Sequence, residues 1–272
     1  MTAELPQPDR DRLSALAALL LLAVTLVRVV TLPELAARLE ILGLVVSLRL
    51  SSETVLLTLA SAVTITGSDW LVRSHPRFPT QGRRVDHLIL PGLATLALGL
   101  VLTSFPKGTA LWIGLPIAAA VLVAVLVGEF LVVDPDDPRA ETAALGLRAM
   151  GFVVLTLGLT GILGRETRAV FAIPSVAIGA TILAWRLLRL RFDPPARWQH
   201  ALAAGAVAAE VAWALHYWPL PPLPAALALT LLTYLAVGLM DAHAQGRLRL
   251  SVAIEYAAFA AVCFVVVLFF AR

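Results

Sequence analysis

The chain has 272 residues, 60% of them hydrophobic and only 14% charged, with a mean hydropathy of +0.88. Soluble domains carry about a quarter charged residues, so the composition excludes an ordinary water-soluble fold and leaves one membrane domain over residues 1–272. The net charge of +3 rests on arginines in short loops, a topological pattern rather than a nucleic-acid-binding surface, and the lone Cys263 excludes an intrachain disulfide or a thiolate metal cluster.

Spans are read as apolar runs of roughly 17–25 residues. After a polar start, Leu13–Leu32 reads as a retained first span, with Arg28 near its end and Pro33 after it. The segment Glu34–Glu53 is too charged for a helical crossing. Leu44, Val46, Leu48 and Leu50 alternate with Val45, Ser47, Arg49 and Ser51, a period of two. It reads as an extended, strand-like external cap near residues 39–51, because an open strand cannot face lipid. The alternative is a short, partly polar tenth helix.

Thr54–Val72 is the second span, capped by Ser51 or Ser52 and ending in Thr64, Thr66, Gly67, Ser68 and Asp69. The third is Leu88–Phe105, with Pro91 in its first turn. The fourth, Ala110–Val133, contains Glu129, and an acidic turn, Asp134–Arg139, leads to the fifth, Thr142–Leu163, which contains Arg148. The sixth, Ala169–Leu188, carries Pro174. The seventh, Trp198–Pro224 with its exit turn, is nearly all small in its first half (Ala201, Ala203, Ala204, Gly205, Ala206, Ala208, Ala209 and Ala212), and Glu210 sits inside this small-residue surface. Small residues of this kind let helix backbones approach closely in lipid. Leu223–Met240 and Ser251–Ala271 complete nine spans. Gly92–Leu100 echoes Gly151–Leu159, which reads as a parallel repeat of spans three–four and five–six.

Loop arginines set the orientation. One set of loops holds Arg73, Arg77, Arg83, Arg84, Arg139, Arg186, Arg189, Arg191, Arg197, Arg247 and Arg249. The other holds Lys107, Arg165, Arg168 and Arg272. The first set is therefore cytoplasmic, with the N-terminus inside and the C-terminus outside.

Ionisable residues within spans are functional candidates by default. Glu129 and Arg148 flank one short turn at similar depth and read as an ion pair. Glu210 lies deeper, with Arg28 as its depth-matched cation. Trp213 and Tyr217 follow it at i+3 and i+7 on one face. That set reads as a buried ion pair or, more sharply, as a polar intramembrane site for a cationic or polar ligand. Asp69 and Glu255 read as partners of loop arginines, and His75 and His87 as interfacial. The histidines lack the i, i+4 spacing of a metal helix, no G-x-S-x-G frame surrounds Ser68, and no phosphate loop occurs. No catalytic, cofactor or metal site is assigned.

Two stretches, Thr66-Gly-Ser-Asp-Trp-Leu-Val-Arg-Ser-His-Pro76 and Trp213-Ala-Leu-His-Tyr-Trp-Pro-Leu220, together with Gly128-Glu-Phe130, resemble a family of uncharacterised bacterial multi-pass membrane proteins. The resemblance implies a shared fold and a membrane location over most of the chain, and carries over no catalytic residue.

The expectation is an all-α polytopic protein of the bacterial cytoplasmic membrane. It would be a non-enzymatic accessory, scaffold or lipid- or small-molecule-handling protein. Its partners would be membrane lipids, with other membrane subunits or a second copy of the chain as further candidates, and no nucleic acid. The alternatives are a transporter or lipid translocator using Glu210 and Arg28, and an intramembrane lipid transferase using Asp69, Glu129 and Arg148.

Overall fold

A computed structural model describes residues 6–30, 35–41, 44–78, 85–105, 108–165, 168–190, 198–218 and 220–270. Within them, helix α1 (Arg10–Val29) starts at Asp9, whose side chain accepts from the Asp11 amide at 2.9 Å. Strands β1 (Leu35–Ile41) and β2 (Leu44–Leu50) pair antiparallel, with Leu35 opposite Leu50 and Ile41 opposite Leu44. Helix α2 (Ser52–Val72) is capped by Ser51, whose hydroxyl accepts from the Thr54 amide at 3.2 Å. This satisfies one of the amides that a helix start leaves without an intrahelical partner.

A single 3-10 turn at Asp86–Leu88 leads into α3 (Ile89–Ser104). Then follow α4 (Thr109–Leu131), α5 (Ala140–Leu163), α6 (Ala169–Leu188), α7 (Trp198–His216), α8 (Pro222–Ala244) and α9 (Leu250–Phe270). Seven of these are long and apolar enough to cross a membrane, namely α2 to α6, α8 and α9. Of the two further expected spans, α1 includes residues whose side chains lie outside those described, and α7 falls short because it is built mostly of alanine, the least apolar of the aliphatic residues, interrupted by Gln199, His200 and Glu210.

Helices α3 and α5 form the centre. Leu90, Ala94, Ala97 and Leu98 of α3 and Leu147, Val154, Leu155 and Leu159 of α5 are buried in one apolar core. Close approach is set by small residues. Gly161 of α5 faces the Leu100 side chain of α3, and Gly128 of α4 faces Leu147 of α5. The tightest seam joins α6 to α7. There a Cβ at Gly205 would overlap Thr181 Oγ1 and stand 2.7 Å from the carbonyl oxygen of Ala177. Ala201, Ala204, Ala208 and Ala212 continue the same buried stripe. In lipid, where apolar contact with tails is as good as with another helix, such backbone proximity holds helices together. Helix α9 packs on α8 at the edge, and none of its span is buried inside the bundle.

Candidate functional site

Charge is gathered at the end of the bundle where α2, α4 and α6 finish. Glu129 on α4 and Arg186 on α6 form a two-pronged ion pair. Arg186 Nε donates to Glu129 Oε1 at 3.1 Å, and its terminal nitrogen donates to Oε2. The side chains are 0% and 6% exposed. Next to them Arg189 donates to Asp86 at 3.1 Å, and Arg73 donates to Asp69 at 2.6 Å. Asp69 also lies 3.2 Å from His87 Nε2. Arg77, in the loop after α2, reaches across to Asp134 at 2.9 Å and to Asp136. Arg139 binds Asp137 and the Pro6 carbonyl. The carboxylates of the acidic turn are thus taken up by arginines. Among the described residues, no three His, Cys, Asp or Glu side chains come together to hold a metal ion.

His75 is the exception within this network. It is 2% exposed and packs edge-on against Phe130 at 4.7 Å. Its Nδ1 accepts from the Arg77 amide at 3.2 Å, which leaves the proton on Nε2, and Nε2 has no hydrogen-bond partner among the described residues. Burial lowers its pKa, opposed by the charges of Asp134 and Asp137. Asp137 is held below the usual carboxylate range, chiefly by its hydrogen bonds with Arg139.

Two hollows lie apart from this network. One is an apolar groove of about 360 Å³ between α2, α3, α5 and α6. Leu57 and Thr58 form one bank, Ile178 and Ile182 the other, and Leu96 and Leu159 the floor. At the far end from the Glu129 network, Arg165 closes it, donating to Glu53 and, at 2.8 Å, to the Thr103 hydroxyl. The second is a cleft of about 490 Å³ between α5, α8 and α9, lined by Arg148, Asp241, Arg247, Glu255, Tyr234 and Tyr256.

The expected pairs are placed differently. Glu129 meets Arg186, not Arg148, which lies 3.5 Å from Asp241 on α8. Leu147 is the α5 residue that faces α4, against Gly128. One helical step is about 100°, so Arg148 is turned away from α4 and toward α8. Glu210 is exposed on α7, on the side away from the alanine seam, and Trp213 and Tyr217 beside it are 58% and 76% exposed. Among the described residues, these three line neither of the two hollows. The Arg28 side chain lies outside the described residues. Helix α1 packs on α2, α3 and α4, whereas α7 packs on α6 and α8. His75 and His87, expected at the interface, are buried.

Sequence reasoning missed Arg186, read as a loop arginine. Its signal was its spacing: it follows Leu183 at i+3 on the face that also carries Val176 and Ala180, all buried. The pairing of Tyr234 with Tyr256 had no sequence signal, since it depends on how α8 and α9 cross.

A helical bundle with seven helices apolar enough to cross a membrane, its charges neutralising one another at one end, defines an integral membrane protein. The chain belongs to the family described as Protein of unknown function (DUF5656), whose model matches residues 31–270. No curated protein and no solved structure matches the chain.

Proposed function

We propose that this chain is a non-enzymatic, lipid-handling protein of the bacterial cytoplasmic membrane that seats one acyl chain in the groove between α2, α3, α5 and α6. The observation that carries this reading is the groove itself. Its volume, about 360 Å³, falls within the range of small-ligand pockets. Its walls are mostly apolar, with the hydroxyls of Thr54, Thr58 and Ser175 among them, and Arg165, its only charged lining residue among the described residues, stands at one end. Ile178 on its bank is 59% exposed, so the groove opens on the face a bilayer would cover. An acyl chain lies along the apolar walls while the polar end of the lipid reaches Arg165. Thr103 and Glu53 orient that guanidinium.

The same reading assigns nine crossings, with α1 crossing on its own leucine-rich run and α7 held in the bilayer by its neighbours rather than by its own apolarity. The arginine-rich end is cytoplasmic. The β1–β2 hairpin then caps the outer end, where Ser51 and Glu53 begin α2. Transport through Glu210 and Arg28 is less favoured, because Glu210 faces outward from the bundle. A transferase using Asp69, Glu129 and Arg148 is less favoured too, because the first two are engaged by Arg73 and Arg186 and the third is turned to α8.

Gly179 supplies the test. It lines the groove, and a Cβ there meets nothing within 4 Å. Gly179→Leu should fill the groove without disturbing the bundle. Native mass spectrometry of protein extracted in mild detergent should show a retained lipid on the unsubstituted chain and its loss from Gly179→Leu, at an unchanged gel-filtration volume. Equal lipid retention by both proteins rejects the groove. Co-migration of other membrane subunits at that step would instead support an accessory role.

A further inference from the structure

The second hollow is chemically unlike the first. Arg148 enters it from α5, Asp241 from the end of α8, Arg247 from the following loop, and Glu255 from the first turns of α9. Two cations and two carboxylates therefore face one cleft, and its formal charge is zero. Deeper by about two helical turns lies Tyr234. Its ring stands 5.8 Å from that of Tyr256 and 5.6 Å from that of Phe259. Gly238 gives the Tyr256 ring its room against α8, where a Cβ would overlap it. The result is a charged rim above an aromatic floor, opening sideways because α9 sits at the bundle edge.

The rim charges are not equivalent. Asp241 is occupied, accepting from Gln245 at 2.7 Å and lying near Arg148. One terminal nitrogen of Arg148 lies 3.5 Å from both the Leu187 carbonyl and Asp241, long for a charge-assisted bond, and the residue lines the cleft. Arg247 is exposed, with one terminal nitrogen on Gln245. Glu255 is exposed too, one residue before Tyr256. Guanidinium groups recognise phosphate by paired N–H bonds. A carboxylate beside tyrosine faces recognises an alkylammonium.

The geometry points to a binding site for a phosphate ester that carries an ammonium group, the chemistry of a zwitterionic phospholipid headgroup, with the phosphate on Arg148 and Arg247 and the ammonium at Glu255 and Tyr256. A neutral site of paired charges suits a zwitterion. A purely anionic headgroup would gain the two arginines and face Glu255 and Asp241 uncompensated. The tails of such a lipid leave past Phe259 along the exposed face of α9. This site stands apart from the acyl groove and needs only that the chain be in a membrane.

The test uses the full-length protein in mild detergent, with binding of a phosphatidylethanolamine, a phosphatidylglycerol and soluble phosphoethanolamine each measured against concentration. The unsubstituted protein should prefer the phosphatidylethanolamine. Glu255→Gln should weaken that lipid about tenfold, as loss of one charge-assisted contact implies, and should tighten the phosphatidylglycerol, which no longer faces the Glu255 charge. Arg247→Gln should weaken both lipids to a similar degree. Both positions are exposed, so gel-filtration behaviour and apparent Tm should match the parent protein. Gly179→Leu should leave the headgroup preference intact, so failure of the acyl groove and failure of this site read differently. Equal affinity for the two lipids, or a Glu255→Gln protein with the parent's preference, overturns the proposal. Soluble phosphoethanolamine binding as tightly as the lipid would overturn the lipid source in favour of a free phosphoamine.

Discussion

Removing the guanidinium of Arg186 should destabilise the bundle severely, and removing its partner as well should restore most of the loss. Glu129 is wholly buried and Arg186 nearly so, and both prongs of the guanidinium are on the carboxylate. In Arg186→Met the carboxylate stays where water and lipid headgroups cannot reach it. Breaking a buried pair from one side costs about 3–5 kcal/mol, because an uncompensated charge remains. For a domain of this size, about 2–4 °C of Tm accompanies each kcal/mol, so the apparent Tm should fall by roughly 6–20 °C. The double change Glu129→Leu with Arg186→Met removes both desolvated charges, and replacements of that kind are often neutral or stabilising. The assay is thermal unfolding of the detergent-solubilised protein followed by tryptophan fluorescence, with all variants scanned at one rate. A single variant that melts with the parent protein would refute the reasoning. So would a double variant that loses the sum of the two single losses, since independent contributions would mean the groups are not a pair.

Further outcomes follow from the same geometry. Gly205→Ala should loosen α7 from α6 at a cost of about 1–3 kcal/mol, because its Cβ meets Thr181 and the Ala177 carbonyl, and Thr181→Ala should return part of it. A Gly205→Ala protein as stable as the parent would show that the seam is not close-packed. His75 gives a pH dependence with a definite sign. Its folded pKa lies below the unfolded value of 6.5, so above that pH both states are neutral at this position and its stabilisation is complete. As the pH falls below 6.5 the unfolded chain binds the proton first, and stability declines toward the lowered folded pKa. His75→Phe should therefore flatten the Tm profile between about pH 8 and about pH 5.5 relative to the parent. Superimposable profiles would contradict the buried, neutral assignment. Ser61→Ala removes the hydroxyl that donates to the Gly92 carbonyl at 3.0 Å in the buried α2–α3 seam. It should cost about 0.5–1.5 kcal/mol in the same melting assay, and no change would mean that the carbonyl finds another donor.

The groove and the cleft differ in what keeps them open. In the groove, Gly158 and Gly179 leave space that larger residues would fill, and Gly158 lies against Ala97 of α3. In the cleft, aromatic rings stand between the helices instead: Tyr234 of α8 faces Tyr256 and Phe259 of α9 at 5.8 and 5.6 Å.

The sequence by itself determined the helical, apolar character of the chain, where most helices begin and end, and that α2 to α6, α8 and α9 are long and apolar enough to cross a bilayer. These are one-dimensional quantities: run length, capping residues such as Ser51, and prolines at Pro91 and Pro222. It also marked α7 as a close-packing helix from its small residues, but it set Glu210 within that surface, whereas Ala201, Ala204, Gly205, Ala208 and Ala212 are the buried ones and Glu210 lies on the other side. Partnership was decided only by the tertiary structure. Glu129 and Arg148 are close along the chain and at similar depth, yet rotation about α5 separates them, and an arginine fifty-seven residues on, Arg186, takes the place. Glu210 looked central because it sits in a central-looking helix, but a charge on a helix belongs to one face only, and the small residues had claimed the other. Depth in a membrane can be counted along a sequence; azimuth, the direction each side chain takes around its helix relative to its neighbours, depends on every helix it packs against.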